Sequence, residues 1–219
     1  MRPAGEGGQG DAADAVFDAA VADLRAGRDA QLPLRPQVTF EDVPAPRRLA
    51  PHAAAIAATV RAAGDEDQPD VAWGRLVLLY DPDGQPGWAG QFRVIAYIRA
   101  DVEPEIAADP LLGTVGWSWL TEALEARAAG YAAPSGTVTR VITEGFGGKQ
   151  DEPTATGLEL RASWSPAGLP AAAAAGGPAH SLTPELAGHV AAWCDALCAA
   201  AGLPPAAAGV SALPRPRRP

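Results

Sequence analysis

Lysine, cysteine and long apolar runs are scarce in this sequence, and each scarcity excludes a class of protein. Lys149 stands against sixteen arginines, and the formal net charge is -9. That balance argues against a general nucleic-acid-binding protein, because neutralising phosphates requires clustered Lys and Arg. No apolar run approaches the ~20 residues of a membrane-spanning helix, and the N-terminus lacks the apolar core of a signal peptide. Two cysteines without an export signal predict a cytoplasmic protein.

The apolar residues that are present predict a single domain. With 219 residues, 47% of them hydrophobic, the chain can bury a sizeable core. Residues 1–12 are Gly-rich, and residues 204–219 are rich in Pro, Ala and Arg. Both ends are predicted to be disordered, since they cannot bury enough surface to offset the entropy of ordering. Residues 13–203 are predicted to form one α+β domain.

Apolar spacing predicts helices at residues 14–24, 51–63, 111–130 and 183–201. We expect the third helix to be the centre of the fold. Its three- and four-residue spacings place five side chains on one face, namely Val115, Trp119, Leu120, Ala123 and Leu124. The segment 32–51 holds five prolines and is predicted to be an extended arm over the core.

Alternating patterns predict two β-hairpins. Residues 71–80 pair with 88–99 around an Asp-Pro-Asp-Gly turn, and residues 136–146 pair with 156–164. The predicted order is α-arm-α-ββ-α-ββ-α. It favours an α+β fold with a mostly antiparallel sheet of two hairpins and helices packed on it.

Several segments resemble a known family, among them RPQVTFEDVPAPRRLAP, DPLLGTVGWSWLTEAL, GTVTRVITEGFGG and ELRASW. They are similar to an actinobacterial family of proteins known as domain of unknown function number 3000. The resemblance covers roughly residues 16–202 and implies no activity, cofactor or catalytic residue. It does imply an RNA-processing partner, since genes of this family often lie near one for a ribonuclease-D-like exonuclease.

Charged residues on the second hairpin form the first candidate site. Arg140 and Glu144 alternate with apolar residues, and Glu159 and Arg161 lie on the predicted partner strand. Side chains two residues apart on a strand are about 7 Å apart at the backbone, so the four charges are expected to form a cluster. A cross-strand salt-bridge ladder on a solvated face is the favoured interpretation. The alternative is a polar pocket floor that binds an anionic or amide ligand.

Two tryptophans form the second candidate site. Trp117 is expected opposite the apolar face of its helix, and Trp88 beside a turn. Exposed tryptophans are favoured at interfaces because they contribute a large area at low entropic cost. The alternative for Trp117 is that the Pro-rich arm covers it.

No catalytic residue, metal or cofactor is predicted. Cys194 and Cys198 lie one helical turn apart, but no further ligands complete a zinc site, so both are expected to be core filler. The glycines of 145–149 do not lead into a helix, as a phosphate-binding loop requires.

The favoured hypothesis is a non-enzymatic adaptor that binds another protein or a second copy of itself, without direct contact to nucleic acid or membrane. The alternative is an enzyme or small-molecule-binding protein that uses the strand face of Arg140 and Glu144.

Overall fold

The computed structural model describes residues 7–62, 69–167 and 185–205. These residues form one antiparallel sheet with helices on one of its faces. The strands are β1 (Val38–Asp42), β2 (His52–Arg61), β3 (Asp70–Tyr80), β4 (Phe92–Asp101), β5 (Tyr131–Thr143) and β6 (Ala155–Pro166). The helices are α1 (Gly7–Gln31), α2 (Pro104–Ala108), α3 (Leu112–Ala126) and α4 (Ala187–Ala200), with a 3-10 turn at Gly147–Lys149. The strand order is β1-β2-β3-β4-β6-β5.

The α+β class, the antiparallel sheet and both hairpins are confirmed. β3 pairs with β4 in continuous antiparallel register, and β5 pairs antiparallel with β6 with one irregularity between Ala132 and Ser135. The sheet is open, with β1 and β5 at its edges. None of the helices in the described part of the chain has the length and apolar character that crossing a bilayer requires.

The predicted helix at 51–63 is wrong, because this segment is strand β2. Its alanines favour a helix intrinsically, but β2 pairs with β1 on one side and β3 on the other. Ile56 and Val60 point to the helices, while Ala53 and Ala55 pack under the Pro-rich segment on the other face. A strand that is covered on both sides has apolar side chains on both faces, and tertiary packing overrides the helical propensity of the alanines.

The predicted arm is correct in part. It contains the edge strand β1, and its following segment, residues 43–51, crosses the sheet face opposite the helices. There it buries Ala55, Val77 and Leu79. This cover explains why both alternating sets of β3 are apolar.

The centre of the fold is α4, so the expectation that residues 111–130 would occupy it is wrong. α4 lies over the middle strands of the sheet and packs against α1 and α3 on its other sides. Trp193 packs over Gly74 of β3, where a Cβ atom would lie 3.0 Å from the indole. Ten residues of α4 are buried, namely His189, Val190, Ala191, Ala192, Trp193, Cys194, Ala196, Leu197, Cys198 and Ala200. This burial on all sides was not predicted, because the alanines of α4 do not mark one apolar face.

The helix at 111–130 exists as α3, but its buried face differs from the predicted one. Leu120 and Leu124 are buried as expected, together with Leu112 and Gly116, whereas Val115 is exposed. The difference arises because α3 packs between α4 and the edge strand β5.

The chain ends and the helix starts also differ from the expected bounds. α1 begins at Gly7 rather than Asp14. The expected cap of the last helix, Thr183, lies outside the described residues, as do residues 1–6 and 206–219, so disorder at the ends stays a prediction. The side chain of Asp23 accepts hydrogen bonds from the backbone N–H groups of Leu186 (2.5 Å) and Ala187 (3.3 Å) and caps α4 from α1.

Candidate functional site

The sheet has a helix-covered face and a second face, here called the open face. Alternation along each strand sends Leu76, Val94 and Leu160 to the helices, and Val77, Ile95 and Arg161 to the open face. The segment 43–51 covers the β2–β3 part of the open face. The part formed by β4, β6 and β5, with Trp73 at its border, is called the uncovered half.

An aromatic and cationic cluster, the Trp73 cluster, stands on the uncovered half. Trp73 is 44% exposed. Its ring centroid lies 4.9 Å from that of Tyr97, and the guanidinium carbon of Arg161 lies 5.5 Å from the Tyr97 centroid. Arg161 also pairs with Glu159 at 2.9 Å. Burial raises the pKa of Tyr97, and the carboxylate of Glu159 adds to the shift. The tyrosine therefore remains a neutral donor at physiological pH.

Positive charge dominates the open face although the chain is acidic. Arg75, Arg93, Arg99 and Arg161 alternate onto it from the three central strands. Glu159 and the terminal Asp101 are the carboxylates of β4 and β6 on this face. Arg75 donates to the carbonyl oxygen of Pro44 and anchors the edge of segment 43–51.

Arg93 lies in a polar nest at one end of the uncovered half. It is 8% exposed. Its guanidinium donates to Oγ of Ser163 at 2.7 Å, to the carbonyl oxygen of Ala133 at 3.0 Å, and at longer range to Ser135 and Ser165. Burial lowers the pKa of Arg93, but a guanidinium stays charged.

A hollow of about 420 Å³ opens above this nest and is called the Arg93 hollow. Trp88, Leu79 and Ile95 give it an apolar wall, and Ser135 and Ser163 give it a polar one. A second hollow of about 400 Å³ lies on the other side of Ile95, beside Tyr97 and segment 43–51.

A β-bulge shapes the Arg93 hollow. Ala132 pairs with Ser165 and Ser135 pairs with Ser163, so β5 has one residue more than β6 between these pairs. The extra residue places Ser135 on the open face beside Ser163. Ala133 within the bulge has φ = 49°, a left-handed conformation that is strained for a residue with a Cβ atom.

The predicted four-charge cluster does not form. Arg140 lies opposite Leu158 and therefore on the helix side of the sheet, whereas Glu159 and Arg161 lie on the open face. Arg140 donates to the backbone oxygen of Asp109 at 3.2 Å, and Glu144 is exposed beyond the end of β5. A shift of one residue in the register of β5 against β6 would have placed Arg140 on the same face as Glu159 and Arg161. Ligand binding by any of these four residues stays a prediction.

The two predicted interface tryptophans are half-buried. Trp117 covers Gly136 on β5, where a Cβ atom would lie 2.6 Å from its ring, and packs on the core. The arm that was expected as its alternative cover contains β1, which forms the edge of the sheet opposite to β5. Trp88 packs on segment 43–51 and lines the Arg93 hollow. Their interface roles stay predictions.

Imidazoles and thiols in the described residues lie away from the open face. His189 is buried in α4 and accepts a hydrogen bond from the indole N–H of Trp164 at 3.0 Å. Burial lowers its pKa to about 4. Cys194 and Cys198 are buried free thiols, and the contact with Cys198, together with burial, raises the pKa of Cys194. Within the described residues no three metal-ligating side chains come together, while His180 lies outside them.

A comparison with protein families matches residues 13–211 to the model described as protein of unknown function (DUF3000). The chain belongs to this family. The match spans the motifs that carry the resemblance in the sequence, and it assigns no chemistry to them. No curated protein and no solved structure gives a significant match to the chain.

Sequence reasoning missed Trp73, Arg93 and Tyr97 as members of a surface. The signal was present in β4, where Arg93, Ile95, Tyr97 and Arg99 alternate with apolar residues. Such alternation is typical of a half-buried strand with one polar face. The bulge that brings Ser135 beside Arg93 left no comparable pattern.

Proposed function

We propose that the protein is a non-catalytic binding protein that holds an acidic partner protein on the uncovered half of the open face. The Trp73 cluster carries this proposal. Tryptophan, tyrosine and arginine are the side chains that most often dominate binding energy at protein interfaces. Mutual contacts at 4.9 and 5.5 Å pre-order the three side chains, which reduces the entropy that binding costs.

The charge distribution favours an acidic partner. On the uncovered half the three arginines Arg93, Arg99 and Arg161 outnumber the two carboxylates of Glu159 and Asp101, in a chain of net charge -9. Complementary potentials steer association and reject partners of the wrong sign. Nucleic acid is disfavoured because three arginines are too few to neutralise a run of phosphates.

Binding is favoured over catalysis by the chemistry of this face. The described imidazoles and thiols lie elsewhere, and the hollows of about 420 and 400 Å³ are at the lower end of the ~300–1,000 Å³ typical of ligand pockets. A small-molecule site in the Arg93 hollow is the second candidate, because that hollow combines an apolar wall with a buried cation.

A cytoplasmic location and an actinobacterial source belong to the same proposal. The free thiols of Cys194 and Cys198 support the first. Sixteen arginines against one lysine support the second.

The proposal is tested by quantitative recovery of partners from native lysate, with and without nuclease treatment, with the wild type and four variants as baits. Trp73→Ala and Arg161→Gln change the uncovered half. Their matched controls are Phe146→Ala, which removes an aromatic side chain that is 79% exposed at the β5–β6 connection, and Arg140→Gln, which removes an arginine from the other face. All variants are first shown to melt like the wild type.

We expect one protein to be recovered with the wild type and both controls and to be lost with both test variants. Equal recovery with all five baits would refute the proposal. Loss with Arg140→Gln alone would instead favour the site predicted around Arg140 and Glu144. Recovery that nuclease treatment abolishes would identify the partner as nucleic acid and would also refute the proposal.

A further inference from the structure

Arg93 is a buried cation without a counter-charge among the residues that the structure describes. It is 92% buried, given its exposure of 8%. Its acceptors are the carbonyl oxygens of Ala133 and Ser163 and the hydroxyls of three serines, all of them neutral. Burying a charge is costly unless an opposite charge compensates it.

The other buried arginine of the described chain shows how this protein normally compensates such a charge. Arg35 is 6% exposed, and its guanidinium lies 3.0 Å from a carboxylate oxygen of Asp195. Asp195 also pairs with Arg127 at 2.7 Å. Arg35 faces the helices, whereas Arg93 lines a hollow that is open to solvent.

Hydroxyl donors are available beside Arg93. Ser135 and Ser163 each accept a hydrogen bond from the guanidinium, which leaves each with one O–H to donate. Their oxygens are 3.4 Å apart, so one of the two protons can serve the contact between them. The other O–H has no acceptor among the described residues. The Arg93 hollow thus offers a positive charge and a hydroxyl donor on the same side.

We infer that the Arg93 hollow is a binding site for a carboxylate carried on an apolar body. The carboxylate accepts from the free serine hydroxyl beside Arg93, and the apolar body lies against Trp88, Leu79 and Ile95. A single negative charge neutralises the single guanidinium, whereas a phosphate dianion would leave an excess charge in a site with few donors.

This inference stands on its own observations and goes beyond the proposed partner binding. A free organic acid or the C-terminal residue of a protein can each supply such a carboxylate group. The strained Ala133, whose carbonyl oxygen also accepts from Arg93, belongs to the structure that holds the site in place.

The test uses the full chain and NMR titration with five probes. Benzoate represents a free acid, N-acetylleucine represents a chain terminus, and benzamide and N-acetylleucinamide are their uncharged counterparts. Inorganic phosphate is the fifth probe. We expect at least one carboxylate to shift the Trp88 indole and the Ala89 and Ser135 amides, with an affinity at least tenfold above that of its amide.

Preference for benzoate assigns the site to free acids, and preference for N-acetylleucine assigns it to chain termini. Equal binding of acids and amides, no binding of either acid, or tighter binding of phosphate would overturn the inference.

Variants localise the site. Arg93→Gln should abolish the preference for the acid over the amide. Arg25→Gln removes the same charge from an exposed position on α1 and should leave affinity unchanged. Because Arg93→Gln also removes bonds to the bulge, Ser135→Ala provides a milder variant at an exposed position. It should weaken carboxylate binding several-fold without lowering the melting temperature. Unchanged binding in Ser135→Ala, or loss in Arg25→Gln, would contradict the site.

Discussion

The two faces of the sheet are formed by the same strands but have opposite chemistry. The helix-covered face is apolar along every central strand, and α4 fills it with Trp193 and Leu197. The uncovered half of the open face has arginine, serine, threonine and tyrosine on the neighbouring positions of those strands. The helix-covered face accounts for stability, and the uncovered half retains polar groups that stability does not require.

The open face itself is divided in the same way. Its β2–β3 part is apolar where segment 43–51 lies over Val77 and Leu79. Beyond that segment the side chains become charged and hydroxylated. Covered positions and apolar side chains therefore coincide on both faces, so the polar uncovered half is expected to face water or a partner.

The largest expected contrast is between Trp193 and Trp73. Trp193 is fully buried against Gly74, and Trp193→Ala should lower the free energy of unfolding by about 3–5 kcal/mol. Trp73→Ala removes a half-exposed ring and should cost less than about 1 kcal/mol. Urea denaturation measures both. Similar losses in the two variants would remove the distinction between the faces.

A second contrast concerns protonation of the core. Burial lowers the pKa of His189 to about 4, below the ~6.5 of an unfolded histidine. The unfolded state therefore binds more protons between these values. The stability that neutral His189 contributes is complete above about pH 6.5 and is lost as the pH falls towards 4, by about 3 kcal/mol.

Denaturation at pH 7 and pH 4.5 tests this effect of His189. His189→Gln keeps an acceptor for the indole of Trp164 but does not titrate, so its stability should change less between the two pH values. An identical dependence in His189→Gln would show that this histidine is not responsible.

A third contrast compares two glycines, Gly136 in β5 and Gly113 in the helix α3 that packs on it. A Cβ atom on Gly136 would meet the backbone oxygen of Arg161 and, at 2.6 Å, the ring of Trp117, so Gly136→Ala should cost about 1–3 kcal/mol. Gly113 in α3 has no atom within 4 Å of such a Cβ, and Gly113→Ala should stabilise the protein by up to about 1 kcal/mol. Thermal melts that show no difference would mean that Trp117 does not pack on Gly136.

The smallest contrast concerns the cap of α4. Asp23→Ala removes the acceptor for the N–H groups of Leu186 and Ala187 and should cost about 1 kcal/mol. Asp18→Ala changes an exposed aspartate of the same helix and should be neutral. Equal melting of both variants would show that the cap contributes no stability.

The sequence predicted those helices and strands in which apolar residues recur at a clear helical or strand spacing. Both hairpins, α3 and α4 follow from apolar spacing. The strand β2 and the all-round burial of α4 were not predicted, because both segments are rich in alanine. A small apolar side chain fits a helix, a strand and a core equally well. Packing decides such segments, and packing is a property of the whole chain.

The candidate site was harder to predict than the fold. Arg161 and Glu159 were recognised as a charged pair, but their grouping with Arg140 failed because strand register determines the face. Arg93 was not predicted as a site residue, because a single arginine in a strand is common. Its site depends on the bulge in β5, which brings Ser135 to it. These contacts join residues far apart in sequence.

The central claim is that the uncovered half serves binding and not stability. The most direct measurement combines Trp73→Ala, Arg99→Gln and Arg161→Gln in one chain and determines its free energy of unfolding together with its partner recovery. We expect a loss of stability within about 1 kcal/mol, as for surface substitutions, and complete loss of the partner that the wild type recovers. A loss as large as that of Trp193→Ala, or undiminished recovery of the partner, would contradict the claim.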